Sequence, residues 1–172
     1  MYVQIGVPKE PSDIVDLLLE CHERIRTFVG LAGRLANTKQ PSVDEVRDAA
    51  TRVARYFSEA LPLHVADEEQ SILPRLSGRD SELDKALNSM REQHRQHEEP
   101  LRVLLQTCEK LKSSPEALST LRETLAGAAS TLEKEFLIHL SEEEQIILPA
   151  LRRCLTPEER AAIVSELRAR RT

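Results

Sequence analysis

Apolar residues recur along this chain at helical spacing. Leu18, Ile25, Val29 and Ala32 form one stripe, and Leu83, Leu87, Met90, Leu101, Leu104, Cys108 and Leu111 form a longer one. Positions three, four and seven apart share one side of a helix of about 3.6 residues per turn. Breaks between the stripes set the elements. Pro11-Ser12-Asp13 opens a first helix, with Ser12 or Asp13 as its cap, running to about Asn37. Gln40-Pro41-Ser42 opens a second, which reaches Pro74 to Ser77, and the turn Ser77-Gly78-Arg79-Asp80-Ser81 leads into a third that runs to about Leu111. Lys112 to Pro115 begins a fourth, ending between Pro149 and Cys154, and Thr156-Pro157-Glu158-Glu159 has the cap and first-turn proline of a short fifth. Pro62 and Pro100 fall inside helices and should bend them, since proline removes a backbone donor and crowds the preceding turn.

Four long amphipathic segments with short connectors predict an all-α fold, an antiparallel up-and-down four-helix bundle with a short extra C-terminal helix. The expected division is an N-terminal extension over 1–11, the bundle over 12–155 and the closing helix over 156–172. His64 and His94 lie 13 residues either side of the Ser77 to Ser81 turn, hence at one level. The other two connections each mismatch by seven residues. At a rise of about 1.5 Å per residue that is roughly 10 Å, to be absorbed by ragged ends or by Pro62.

Composition agrees with helices: only 3% of the 172 residues are aromatic, 31% are charged and five are glycine. A net charge of −5 argues against nucleic acid or an anionic membrane as partner. No apolar run approaches a membrane span, and Met1 to Val7 lacks the basic leader of a secretory signal. Cys21, Cys108 and Cys154 are odd in number and unpaired in spacing, so reduced thiols and a cytoplasmic address are expected.

The polar residues inside the stripes change the picture. His22, His94 and His97 all occupy apolar-face positions. The remaining two of the five histidines begin a repeat: His64 to Leu76 returns 75 positions later as His139 to Leu151, with eight of thirteen residues identical. Each copy carries a glutamate four residues after its histidine, Glu68 or Glu143, one turn along the same face. Buried carboxylates need a cation or a shifted pKa. A metal supplies that charge, and the competing structural reading is a polar layer of His–Glu hydrogen bonds. The cysteines do not cluster with the histidines, which counts against structural zinc. Mixed imidazole and carboxylate suits iron, manganese or zinc. The donors exceed what one ion uses, so two ions bridged by Glu68 and Glu143 are expected. Glu69, Gln70, Glu144 and Gln145 are candidates to hold the outer imidazole nitrogens, with at least half of them expected simply to face solvent. The Glu-x-x-His spacing of ferritin-like di-iron bundles is absent from the core faces.

A histidine on helix one, His-x-x-x-Glu on helix two, a histidine on helix three and His-x-x-x-Glu on helix four, each pair running into Glu-Gln-x-Ile-Leu-Pro, resembles the hemerythrin-like, HHE cation-binding domains over about residues 12–153. The resemblance implies His22, His64, Glu68, His94, His139 and Glu143 as ligands of a non-haem centre of two iron ions, bridged by the glutamates and an oxo or hydroxo group. Two departures stand out. Marine-worm hemerythrins place the last carboxylate five after the histidine, which would be Glu144 here, whereas the repeat favours Glu143. Their second helix-three histidine falls at Glu98, so His97, one turn from His94, is the expected substitute. The implied function is binding of O₂ or a related small ligand as carrier, store or sensor, alone, as a homodimer or with a protein partner. The alternatives are an enzyme acting on peroxide or nitric oxide, an iron donor for iron–sulfur repair, and a metal-free helical scaffold.

Overall fold

The computed structural model describes residues 13–172; the N-terminal extension and Ser12, one of the two candidate caps, lie outside the described residues. Among those residues there is no strand. Five helices follow one another: α1 over Ile14–Asn37, α2 over 43–76, α3 over Ser81–Ser113, α4 over 118–154 after a 3₁₀ turn at Pro115–Ala117, and α5 over Pro157–Ala169. Four of the five starts carry a side-chain cap, α4 being the exception. The Asp13 carboxylate accepts from the Ile14 N–H, Asp80 from that of Leu83, and Ser42 with Glu45 and Thr156 with Glu159 form reciprocal capping boxes. Each satisfies backbone donors that the first helical turn leaves orphaned, worth about 1 kcal/mol apiece.

Three of the prolines leave a common mark. Short π turns occupy Tyr56–Ala60, Glu68–Ile72 and Glu143–Ile147, and each ends one residue short of the residue before a proline's ring. Leu61, Leu73 and Leu148, the residues just before Pro62, Pro74 and Pro149, donate their N–H groups five residues back, to the carbonyls of Tyr56, Glu68 and Glu143. The widened turn accommodates the carbonyl that a proline cannot serve and its ring would strike. The expected disturbance at Pro62 thus takes the form of a π turn within a continuing helix. At Pro100, α3 runs on as uninterrupted α-helix; the carbonyl deprived of its donor belongs to exposed Gln96, where water can serve it.

α1 packs on α2 and α4, and α3 packs on the same two, closing a ring around the core. That core is divided into two apolar clusters. One gathers Ile25 to Ala36 of α1, Val46 to Leu61 of α2, Leu104 to Leu111 of α3 and Leu118 to Leu140 of α4. The other gathers Ile14 to Leu18, Ile72 and Leu76, Leu83 to Met90, and Ile147 to Leu151, and takes in Ile163 and Leu167 of α5. Between them lies a buried polar layer. α5 is further tied to α2 by charge: buried Asp67 accepts from Arg170 at 2.8 Å and Arg171 at 2.5 Å, while Glu166 accepts from Ser71 and Arg75. No helix among the described residues is long and apolar enough to cross a membrane.

Candidate metal centre

The polar layer is built by four helices. α1 contributes His22, α2 His64 and Glu68, α3 His94, and α4 His139 and Glu143, and all but His94 are fully buried. Along α2 and α4 the four-residue spacing brings each imidazole to its own carboxylate, with His64 Nε2 3.0 Å from Glu68 and His139 Nε2 3.2 Å from Glu143. The second contact of each carboxylate crosses the core. His94 Nε2 reaches Glu68 at 3.2 Å and His22 Nε2 reaches Glu143 at 3.1 Å. Two groups of converging ligand atoms result: His22, His64, Glu68 and Glu143 in one, and His94, His139, Glu68 and Glu143 in the other. Both glutamates belong to both groups.

Outside this centre, oxygens hold three of the imidazoles by their other nitrogen. His22 Nδ1 is 2.8 Å from Glu144, His94 Nδ1 2.9 Å from Glu69, and His139 Nδ1 2.7 Å from the Gln93 side-chain oxygen. Carboxylate and amide oxygens only accept, so each Nδ1 carries the proton and each Nε2 turns a lone pair inward. The outer partners are themselves held. Arg26 donates to Glu144 at 2.8 Å, and the Gln93 amide nitrogen donates to Glu142 at 2.8 Å, which orients its oxygen toward His139.

Inside the centre, short distances do not amount to hydrogen bonds. Among the described residues, His22 Nε2, His64 Nε2, Glu68 Oε2 and both Glu143 oxygens are buried without an aligned partner. Atoms within about 3 Å of one another that nonetheless fail to bond are aimed at a common point rather than at each other. Buried native polar groups are almost always satisfied, so this concentration of exceptions asks for a cation. The donor set, imidazole nitrogens with carboxylate oxygens, fits first-row transition metals such as iron.

The electrostatics of the side chains alone point the same way. Burial, reinforced by the nearby charge of Glu68, pushes Glu143 up to about 7. Burial would also raise Glu68, but His64 and His94 outweigh it and hold Glu68 well below the ordinary carboxylate range. Burial pulls His64 downward, yet the Glu68 charge lifts it well above the ordinary imidazole value. Two buried carboxylates this close strain against each other unless positive charge lies between them.

The hemerythrin HHE cation binding domain matches residues 13–151 of this sequence. The chain belongs to that family. No curated protein matches it.

For a hemerythrin-family chain, the remaining candidates are distributed unevenly. His97 is buried against Phe136, with its ring centre 5.1 Å from that of His139, but it stands outside both groups of converging atoms. Burial brings its pKa down to about 4, so it is neutral at pH 7. Glu98 is exposed, and Glu144 lies behind His22 rather than within the centre. Of the four residues considered for outer support, Glu69 and Glu144 take that place while Gln70 and Gln145 face solvent. Sequence reasoning missed Gln93, Arg26 and Cys21. Gln93 immediately precedes a histidine, on a helix different from the one it supports, so local spacing carries no signal for it. As the sequence suggests, no cysteine joins either group of converging atoms among the described residues, although Cys21 borders one small cavity with His64.

Proposed function

We propose that this chain holds two iron ions, one between His22 and His64 and one between His94 and His139, with Glu68 and Glu143 common to both, and that it binds O₂ or a related small ligand as carrier, store or sensor. The observation that carries this reading is the sharing of both carboxylates by two convergent groups, with both Glu143 oxygens, Glu68 Oε2 and the Nε2 atoms of His22 and His64 buried without a hydrogen-bond partner among the described residues. Bound iron would supply the electrons and the open position that a small ligand needs. The chain's residues do the rest. Glu69, Glu144 and Gln93 hold three imidazoles in the tautomer that presents Nε2 inward, and the flanking apolar clusters keep bulk water from the layer. His97, buried and neutral, is proposed as an additional donor to the His94–His139 half.

The alternating order in which successive helices pass from one cluster to the other supports an antiparallel up-and-down bundle over 12–155, with 156–172 as an appended helix. Protein purified without added metal is expected to carry about two irons per chain and, once reduced, to develop near-ultraviolet charge-transfer absorption in air. Fully folded protein that is colourless and takes up no iron would refute the proposal.

Metal uptake should also release protons. Glu143, raised to about 7, is half protonated at neutral pH, and His64 and His94 are raised as well. Glu143 must lose its proton to coordinate, and any proton held by the raised imidazoles must leave as well, so affinity falls as pH drops through the Glu143 range near 7. Calorimetry in two buffers of different ionisation enthalpy measures this. Identical heats in both would contradict it.

A further inference from the structure

Of the four imidazoles assigned above, His64 alone has no aligned partner on Nδ1 among the described residues, although its side chain is only 3% exposed. The internal repeat shows what stands in the equivalent place. His64 corresponds to His139, and Glu20-Cys21-His22 corresponds to Glu92-Gln93-His94. In one half of the molecule the residue before the helix-three histidine, Gln93, supports His139. In the other half the residue before His22 is Cys21, and it lies beside His64. The two side chains border a cavity of about 260 Å³ between α1 and α2, together with Arg24, Tyr56, Glu59 and Arg171. The Tyr56 hydroxyl donates to the Cys21 carbonyl at 3.3 Å, which anchors that turn of α1. Glu59, the carboxylate on the cavity, is exposed and accepts from Arg55, and the Tyr56 hydroxyl is already turned to the Cys21 carbonyl.

We propose that Cys21 is the positioning residue of His64: its sulfur accepts a hydrogen bond from the Nδ1–H and so keeps the Nε2 lone pair on the metal side, as the Gln93 oxygen does for His139. The inference rests on the metal reading above and adds an asymmetry to it. A thiol sulfur is a weaker acceptor than an amide oxygen. The ion between His22 and His64 is therefore held less firmly than its neighbour, and half-buried Cys21 leaves that half open to thiol reagents from the cavity.

The test compares Cys21→Val, which keeps the size and removes the acceptor, with Cys21→Ser, which keeps an acceptor. Competition against a chelator reads the affinity of each ferrous ion, and thermal unfolding in excess chelator checks the fold. Cys21→Val should bind one of the two ions about 10- to 100-fold more weakly, the usual effect of losing an outer partner. Cys21→Ser should stay within a few-fold of wild type, and Gln93→Leu, which removes the stronger acceptor, should produce at least as large a loss for the other ion. Should Cys21→Val not fold, Cys21→Ala carries the same comparison. Valine (or alanine) and serine variants of equal affinity, whether both tight or both weak, would overturn the assignment of Cys21 alone. Wild-type protein that takes up no metal would overturn both this assignment and the metal reading.

Discussion

Replacing Glu68 and Glu143 together by leucine should have opposite effects with and without metal. On the proposed reading, wild-type protein loaded with iron should gain about 4 kcal/mol for each ion present at a thousand times its dissociation constant, because only the folded state gathers the ligands. The double variant loses that gain entirely. In excess chelator the comparison reverses. Glu143 is held near 7 by burial and by Glu68, more than two units above an ordinary glutamate, on the order of 3 kcal/mol at about 1.4 kcal/mol per unit. A carboxyl raised in the folded state costs stability as pH rises through its folded pKa, so at pH 8 the full cost is present. Leucine at 143 removes that cost, while leucine at 68 gives up the carboxylate that His64 and His94 hold low, so the net gain is smaller than the Glu143 cost alone. With both carboxylates gone no like-charged pair is left buried. Thermal unfolding of both proteins at pH 8, with iron and with chelator, measures the four states. A wild-type melting temperature indifferent to chelator would defeat the account, and so would a variant as sensitive to chelator as wild type.

Asp67→Ala is expected to cost about 3 kcal/mol, at the low end for breaking a buried ion pair, because the arginine heads it leaves behind reach solvent. Asp67 is completely buried, whereas the side chains of Arg170 and Arg171 are 21% and 36% exposed. The consequence extends beyond α5. Asp67 directly precedes the π turn Glu68–Ile72, and Ser71 within that turn both donates to Glu166 and accepts from Arg170. The C-terminal helix therefore braces the stretch of α2 that carries a shared carboxylate. Urea unfolding gives the stability change, and amide exchange should show α5 opening before the bundle. A loss below about 1 kcal/mol, with α5 amides still protected, would mean that apolar docking through Ile163 and Leu167 holds the helix unaided.

Much of this was legible from local pattern. The caps at Asp13, Ser42 and Thr156 lie where the sequence places them, because a cap stands directly before its helix and bonds within the first turn. The pairing of His64 with Glu68 and of His139 with Glu143 follows from the helical repeat alone. The duplicated segment announced that two such pairs exist, and the stripe positions of His22 and His94 announced that their side chains turn inward.

What remained hidden depends on how helices are rotated and set in height against each other. That His22 crosses to Glu143 and His94 to Glu68, making both carboxylates common property, is a relation between residues more than a hundred positions apart in one case and 26 in the other. The π turns beneath Pro62, Pro74 and Pro149 widen the helix where a straight α-helical count would assume a regular one. The support of His139 by Gln93, the place of Cys21 beside His64 and the Asp67 clamp likewise arise only on packing. By itself the sequence determined which side chains would be polar on buried faces, because periodicity along one helix is a local property of the backbone. Only the tertiary structure decided which of them share a partner, because distances across a core are set by the joint packing of all the helices and by no single stretch of chain.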